Sequence, residues 1–522
     1  MSSCDSQIQF PVTGKKLGKD GKPRRSTTDT AKQIWAAAMK AAGGDATKLV
    51  REKNWRYEYV PHVLATIEEG IKTGKSVEAA RAALEMAYKK FIFPQENPKA
   101  PVAAAYVRGA SSECAALDEI EIPHQDGTLK GDKLLDEMRS WSEYGCIESS
   151  APAEIERAFR NRGGASLKAL CGEHTVFLCL GATSELGPLK TLLAMGAEVM
   201  AISRPGVAKW KKLCEHAKET SGTLIVPLMG ATDDTEASDD NLDDLVKNMG
   251  ADLLSNPATI ARFALDVAEK RDVRLGLSPG TTRVVVGTFV YLDSAAHVRA
   301  TMACDYIVKT ICDARENTVL QYLGSPATVH TIPPEAHADS EDAYEGKHNK
   351  YSKWWHSSAS LILGLGGFKK NARDPVKAAD GHNVYVFNGL VVAQGPNYAL
   401  AKTLQMWRCI VQNSKGHAVV TPMTPPCKTD SVMHSPTMAR AMRGMEAFPP
   451  LRPFDPLQVS VLMTMVSLSM IHCIDDPMHI DRPIAPERPW QLFEACAMHG
   501  GNWRVPYNQE SIGVATVLAG LF

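Results

Sequence analysis

Tyr398 and Lys402 stand four residues apart in GPNYALAKTLQ, a stretch of good helix formers, so a helix puts both side chains on one face. That pair can do acid–base chemistry. A phenol passes its proton to a carbonyl oxygen while hydride reaches the carbonyl carbon, and a nearby ammonium stabilises the phenolate. The lysine can also hold the hydroxyls of a bound ribose. A third polar group is needed to orient the carbonyl, and two candidates precede the tyrosine: Ser325 at the end of TVLQYLGS and Asn388 at the end of NVYVFNG. Y-x-x-x-K by itself recurs by chance on exposed helices, so its weight depends on what positions it.

The second constellation is FLCLGATSELG, residues 177–187, an apolar run that breaks into a turn with two glycines and opens into a helix-like pattern. At the end of a parallel strand such a turn offers backbone N–H groups to a pyrophosphate. Read as G-x-x-x-G-x-G, the middle position is Glu185, whose carboxylate would repel phosphate. Read as G-x-x-G-x-x-G, it is Ser184, which is small and can donate a hydrogen bond. The second register is preferred and makes Gly181, Thr183, Ser184, Leu186 and Gly187 the candidate phosphate-binding residues. The next strand ends AISRP. An acidic residue there would suit the ribose 2′-hydroxyl of NAD, whereas Ser203 and Arg204 suit a 2′-phosphate, which points to NADP in preference to NAD.

The elements that must carry these residues follow from periodicity. From 171 onward, strand-like HTVFLCLGA, AEVMAISR, TLIVPL and ADLLSNP alternate with helix-like SELGPLKTLLAMG, VAKWKKLCEHAKETSG and DDNLDDLVKNMG. The pattern resumes with TVLQYLGS, NVYVFNG and HAVVTPM. Such alternation predicts an α/β fold with a doubly wound, Rossmann-like parallel sheet. The expected organisation is a flexible basic tail over 1–30 and a helical accessory region over 31–170, with a turn-rich connector at 93–130. The nucleotide-binding domain spans 171–440, interrupted by a polar and aromatic insertion at 331–382, and a helical extension covers 441–522.

Together these motifs resemble the short-chain dehydrogenase/reductase superfamily, in its atypical members with G-x-x-G-x-x-G, over about residues 172–435. Asn256 in LLSNP is similar to the asparagine of the family's fourth-strand N-A-G motif, with Pro257 departing from it, and Pro425 to Thr429 resemble the turn after the sixth strand. The resemblance implies an NADP-dependent oxidoreductase that reduces a carbonyl, with Tyr398 as proton donor and Lys402 tuning it. A competing pair, Tyr344 and Lys353, has eight residues between its members, a spacing similar to that of one family of trans-2-enoyl-thioester reductases. A third reading keeps the fold as a non-catalytic scaffold or nucleotide-sensing module. The substrate expected is a small molecule or an acyl thioester, and helix-mediated homo-oligomers are common in the resembling family.

Composition narrows the classes. The 522 residues carry a formal net charge of −1, which gives no electrostatic reason to bind nucleic acid. The twelve cysteines form no C-x-x-C pair, the histidines 330, 337, 348 and 356 have no metal-ligand spacing, and no metal is expected. The N-terminus lacks the apolar stretch of a signal peptide, so reduced thiols in the cytoplasm are expected. Residues 457–474 are apolar but carry Gln, Ser, Thr and His, and predict a buried helix rather than a membrane span.

Overall fold

The computed structural model describes residues 6–17, 23–124, 127–161, 165–346, 367–475 and 488–521. The chain is α/β, built on a large, mostly parallel sheet of eight strands. In chain order the strands are β1 (Val102–Arg108), β2 (Thr175–Leu180), β3 (Glu198–Ile202), β4 (Thr223–Met229), β5 (Thr235–Glu236), β6 (Arg283–Thr288), β7 (Thr318–Tyr322), β8 (Val329–Ile332), β9 (Val376–Lys377), β10 (Asn383–Asn388) and β11 (Ala418–Val420). The main sheet runs β11-β7-β6-β2-β3-β4-β1-β5, while β8, β10 and β9 form a separate three-stranded antiparallel sheet. From β11 to β4 every pairing is parallel; β1 joins β4 antiparallel. This order is compatible with a Rossmann-like fold. The chain order reverses between β2 and β6, and ligands of open α/β sheets bind at the carboxyl ends of the strands flanking such a reversal.

The central strands are apolar throughout because both faces of the sheet are covered. Val176, Leu178 and Leu180 of β2 pack into one buried cluster and Phe177 and Cys179 into another on the opposite face. The first cluster includes the helices Ser294–Ala314 and Pro396–Asn413 with the N-terminal helices Thr27–Ala41 and Ser76–Lys90 over them. Trp35 meets Trp407 edge-on at 4.7 Å. Buried Arg408 pairs with buried Asp305 through two hydrogen bonds of 2.7 and 2.8 Å, locking the two central helices together. The second cluster includes the helix Pro456–Asp475, which is long and apolar enough to cross a bilayer but is mostly buried against protein.

Several expectations need correction. NVYVFNG is β10 of the antiparallel sheet, not part of the parallel one, because it pairs with β8 and β9. ADLLSNP is a turn: Asp252 accepts from the backbone N–H groups of Leu254 and Ser255, which closes the chain on itself. The fourth parallel strand is RVVVGT, β6, which pairs with β2 along its whole length. The stretch read as a connector supplies β1, an Ala-rich strand whose pairing with β4 supplies what its weak propensity does not. Part of the stretch read as a flexible tail is built in, with Ile8 and Phe10 buried and the Ile8 N–H bonded to the Leu254 carbonyl.

Candidate functional site

The loops at the carboxyl ends of β2, β3, β6 and β7 bring the chemistry to one edge of the sheet. Ser325 follows β7, and its Oγ lies 2.7 Å from the Tyr398 phenol oxygen. The Pro396–Asn413 helix presents Tyr398 and, one turn on, Lys402. Lys402 has no hydrogen-bond or ion-pair partner among the described residues, and burial lowers it from 10.5 to about 8. Tyr398 is pushed up to about 12 by burial, with the Ser325 bond pulling the other way. Desolvation dominates, the Lys402 ammonium is not among the groups that shift the phenol, and Tyr398 is a neutral phenol at neutral pH. Both side chains keep part of their surface exposed. Beside them Ser325, Thr328, Lys402, Gln405 and Phe493 enclose about 10 Å³, about the room one water needs.

Ser325 is held from two directions. Its Oγ accepts the Ala327 N–H at 3.2 Å, and Thr328 Oγ1 donates to its carbonyl at 2.7 Å. Thr328 in turn meets His330 Nδ1 at 3.0 Å, and Trp503 Nε1–H donates to His330 Nε2 at 2.9 Å. Since Nε2 accepts, Nδ1 carries the proton of a neutral imidazole, and burial drives His330 down to about 3. On the other side Gly324 exchanges backbone bonds with Pro422 and Thr424 after β11. Asn388, the other candidate, turns its side-chain oxygen to the Leu390 N–H in its own turn.

Sequence reasoning missed His297. Its ring stands edge-on to Tyr398 at 5.8 Å and to Tyr291 at 4.9 Å. It is buried, its Nε2 has no partner among the described residues, and burial together with the Lys402 charge lowers it to about 3. No local pattern marks it, because its role arises only when β6 places the next helix against Pro396–Asn413.

The glycine turn forms two successive reverse turns. The Ser184 N–H bonds the Gly181 carbonyl at 2.9 Å and the Gly187 N–H bonds the Ser184 carbonyl at 3.0 Å, while Gly181 and Ala182 both donate to the Ile202 carbonyl. The N–H groups of Thr183, Glu185 and Leu186 have no such partner among the described residues, so anion-binding capacity falls on them. Gly181 has φ +87°, and a Cβ there would lie 2.7 Å from the Val290 nitrogen after β6, so only glycine fits at the strand-order reversal. Gly187 does not lie between a helix and a strand. It is closed over its own turn, and its carbonyl accepts from Ser460 Oγ at 2.9 Å. The following helix, Leu189–Ala194, is short and starts beyond the turn. The exposed Glu185 carboxylate accepts the Asp430 N–H at 3.1 Å, which draws it toward the loop after β11. Burial and the Asp430 charge raise it above the usual range.

At the end of β3, Ser203 Oγ lies 3.0 Å from Thr183 Oγ1 and 2.9 Å from Lys209 Nζ. Lys209, on the Val207–Lys218 helix, also donates to the Arg204 carbonyl, and burial and Arg204 lower its pKa. Arg204, Lys209, Ser203 and Thr183 thus form a cluster of two cations and two hydroxyls. The sequence pointed to all but Lys209, whose place is set by the tight return of the helix over AISRP. Asn256 begins the Pro257–Arg274 helix rather than ending a strand. Tyr344 stacks edge-on with Tyr507 at 5.9 Å, beside Phe368 and Phe448. Lys353, the WWH cluster at 354–356, His348 and His356 lie outside the described residues. Among the described residues no group of three His, Cys, Asp or Glu could hold a metal ion.

Comparison with models of known protein families, with curated proteins and with solved structures finds no match.

Proposed function

We propose that this chain is an NADPH-dependent reductase of a carbonyl group, working at the carboxyl edge of a Rossmann-like, doubly wound sheet. The observation that carries the reading is the 2.7 Å Ser325–Tyr398 hydrogen bond, one helical turn from the Lys402 ammonium, which has no partner among the described residues. The residues present fit the cofactor. Thr183, Glu185 and Leu186 offer backbone N–H groups to a pyrophosphate, Arg204 and Lys209 offer cations to a 2′-phosphate, and Lys402 offers donors to ribose hydroxyls. When bound, the nicotinamide would supply the hydride.

The chain's own residues do the rest. Tyr398 is protonated at neutral pH, as a proton donor to the carbonyl oxygen must be. Ser325 already accepts from Ala327, which leaves its own proton free to point at Tyr398 or at the substrate oxygen. Lys402 then stabilises the phenolate left after transfer.

The test is titration of the full chain with NADPH and NADH, read by nicotinamide fluorescence and thermal shift. NADPH should bind, and more tightly than NADH. Binding of neither overturns the reading. It would favour a second one, a non-catalytic scaffold, whose support is that the N–H groups of Ser184 and Gly187 are spent within their own turns.

A further inference from the structure

A second cleft, of about 230 Å³, lies away from the loops just described, between the Trp55–Lys72 helix, the antiparallel sheet and the segment Pro489–Phe493. Its walls include Ile71, Ile332, Tyr385 and Trp490, and its polar lining includes Thr331 and Glu494 together with Asn383, Gln491, Arg488 and Asp380. Thr331 is 2% exposed, and its Oγ1 accepts no hydrogen bond from the described residues. It sits beside the Glu494 carboxyl, and its hydroxyl acts on that carboxyl as a hydrogen-bond donor, opposing the larger effect of burial.

The charges around the cleft are in acidic excess. Arg488 is the cation nearest Glu494, but its Nε and Nη2 both bond the Asp380 carboxylate, at 3.1 and 3.0 Å, and that carboxylate also takes His382 at 3.3 Å. Glu148 and Glu335 add negative potential at Glu494. The donor of Trp490 is already given to Ser76 Oγ at 3.2 Å. The polar lining thus centres on a largely buried carboxyl, with the Thr331 oxygen beside it able to accept a further hydrogen bond.

We propose that this cleft binds a small primary ammonium compound with an apolar body, its charged group held by Glu494 and Thr331. An ammonium carries three donors and no acceptor, which complements a carboxylate and a hydroxyl oxygen that accepts from none of the described residues. A carboxylate ligand would meet Glu494 with like charge. Burial pushes Glu494 up to about 7, a cost that an arriving cation offsets.

The probe is benzylammonium, compared at constant ionic strength with benzyl alcohol and benzoate of the same shape, on the full chain. Tryptophan fluorescence and thermal shift report binding. Benzylammonium should bind saturably and roughly tenfold or more tighter than benzyl alcohol, the gain of a charge-assisted hydrogen bond. Benzoate should give no response. In Glu494→Gln the advantage of the ammonium over the alcohol should vanish, and Thr331→Val should weaken it severalfold. Equal binding of ammonium and alcohol to the unmodified chain overturns the proposal, as does an ammonium advantage that survives Glu494→Gln. Should that variant not fold, the comparison on the unmodified chain and Thr331→Val decide.

Discussion

Lys402 is a cation without a partner among the described residues, and its removal should make the protein more stable. Burial takes it from 10.5 to about 8, and at about 1.4 kcal/mol per unit this is roughly 3 kcal/mol against the folded state. Partial exposure of the side chain scales the cost to about 1–3 kcal/mol. Lys402→Met keeps the aliphatic stem and deletes the charge. The sign follows from the lowered folded-state value. Below pH 8 the lysine is charged both folded and unfolded, and the whole cost is present. Between pH 8 and 10.5 the folded protein gives up the proton first, so the cost drains away as pH rises. The variant should therefore unfold at a higher temperature at pH 7, by on the order of 1–3 °C for a chain this long, with the gap closing by pH 10.5. Scanning calorimetry of both proteins across that range measures it. If the variant is equally or less stable at pH 7, or if the gap does not depend on pH, the lysine is not an unpaired buried charge. A gap that opens only without nucleotide would place the ribose at Lys402.

Three other outcomes are expected. Tyr398→Phe should keep NADPH binding within about twofold but lower turnover by roughly 10²–10⁴-fold in stopped-flow assays, the worth of a positioned general acid. The double variant Arg204→Ser, Lys209→Met should weaken NADPH binding at least about tenfold in fluorescence titrations while leaving NADH unchanged, since only the 2′-phosphate is lost. Asp272 resists its own burial through Arg315 and the N–H groups of Thr282 and Gly280, which hold it at about 2. Asp272→Asn should cost about 2 kcal/mol or more in denaturant melts above pH 4, and the difference should shrink as pH falls through 2, where the native carboxyl is protonated too.

The parts of the fold that the sequence made legible are those whose local pattern and tertiary role agree. HTVFLCLGA and AEVMAISR are apolar because both sheet faces are covered, and their strand character shows in composition alone. VAAAYVR does not show it, since alanine is a poor strand former and only the register with β4 makes it a strand. RVVVGT is a short apolar run whose place as the fourth parallel strand is set by its pairing with β2, not by its local pattern. The Tyr398–Lys402 pair was legible because helical spacing is local. The choice between Ser325 and Asn388 was not, because it depends on which strand enters the main sheet. His297 and Lys209 take their positions from helices returning over the sheet edge, which no sequence window contains.

The support of Ser325 has a consequence in time as well as in space. The loop is pinned through Thr328 and His330 to Trp503, a residue translated long after Ser325 and Tyr398 have left the ribosome. Helix and strand can form as they emerge, but the Ser325 loop meets this anchor only once Trp503 has emerged. A nascent chain stalled before that point can hold a folded sheet with its reactive edge unset. Competence at that edge thus reports that the chain has been made through Trp503.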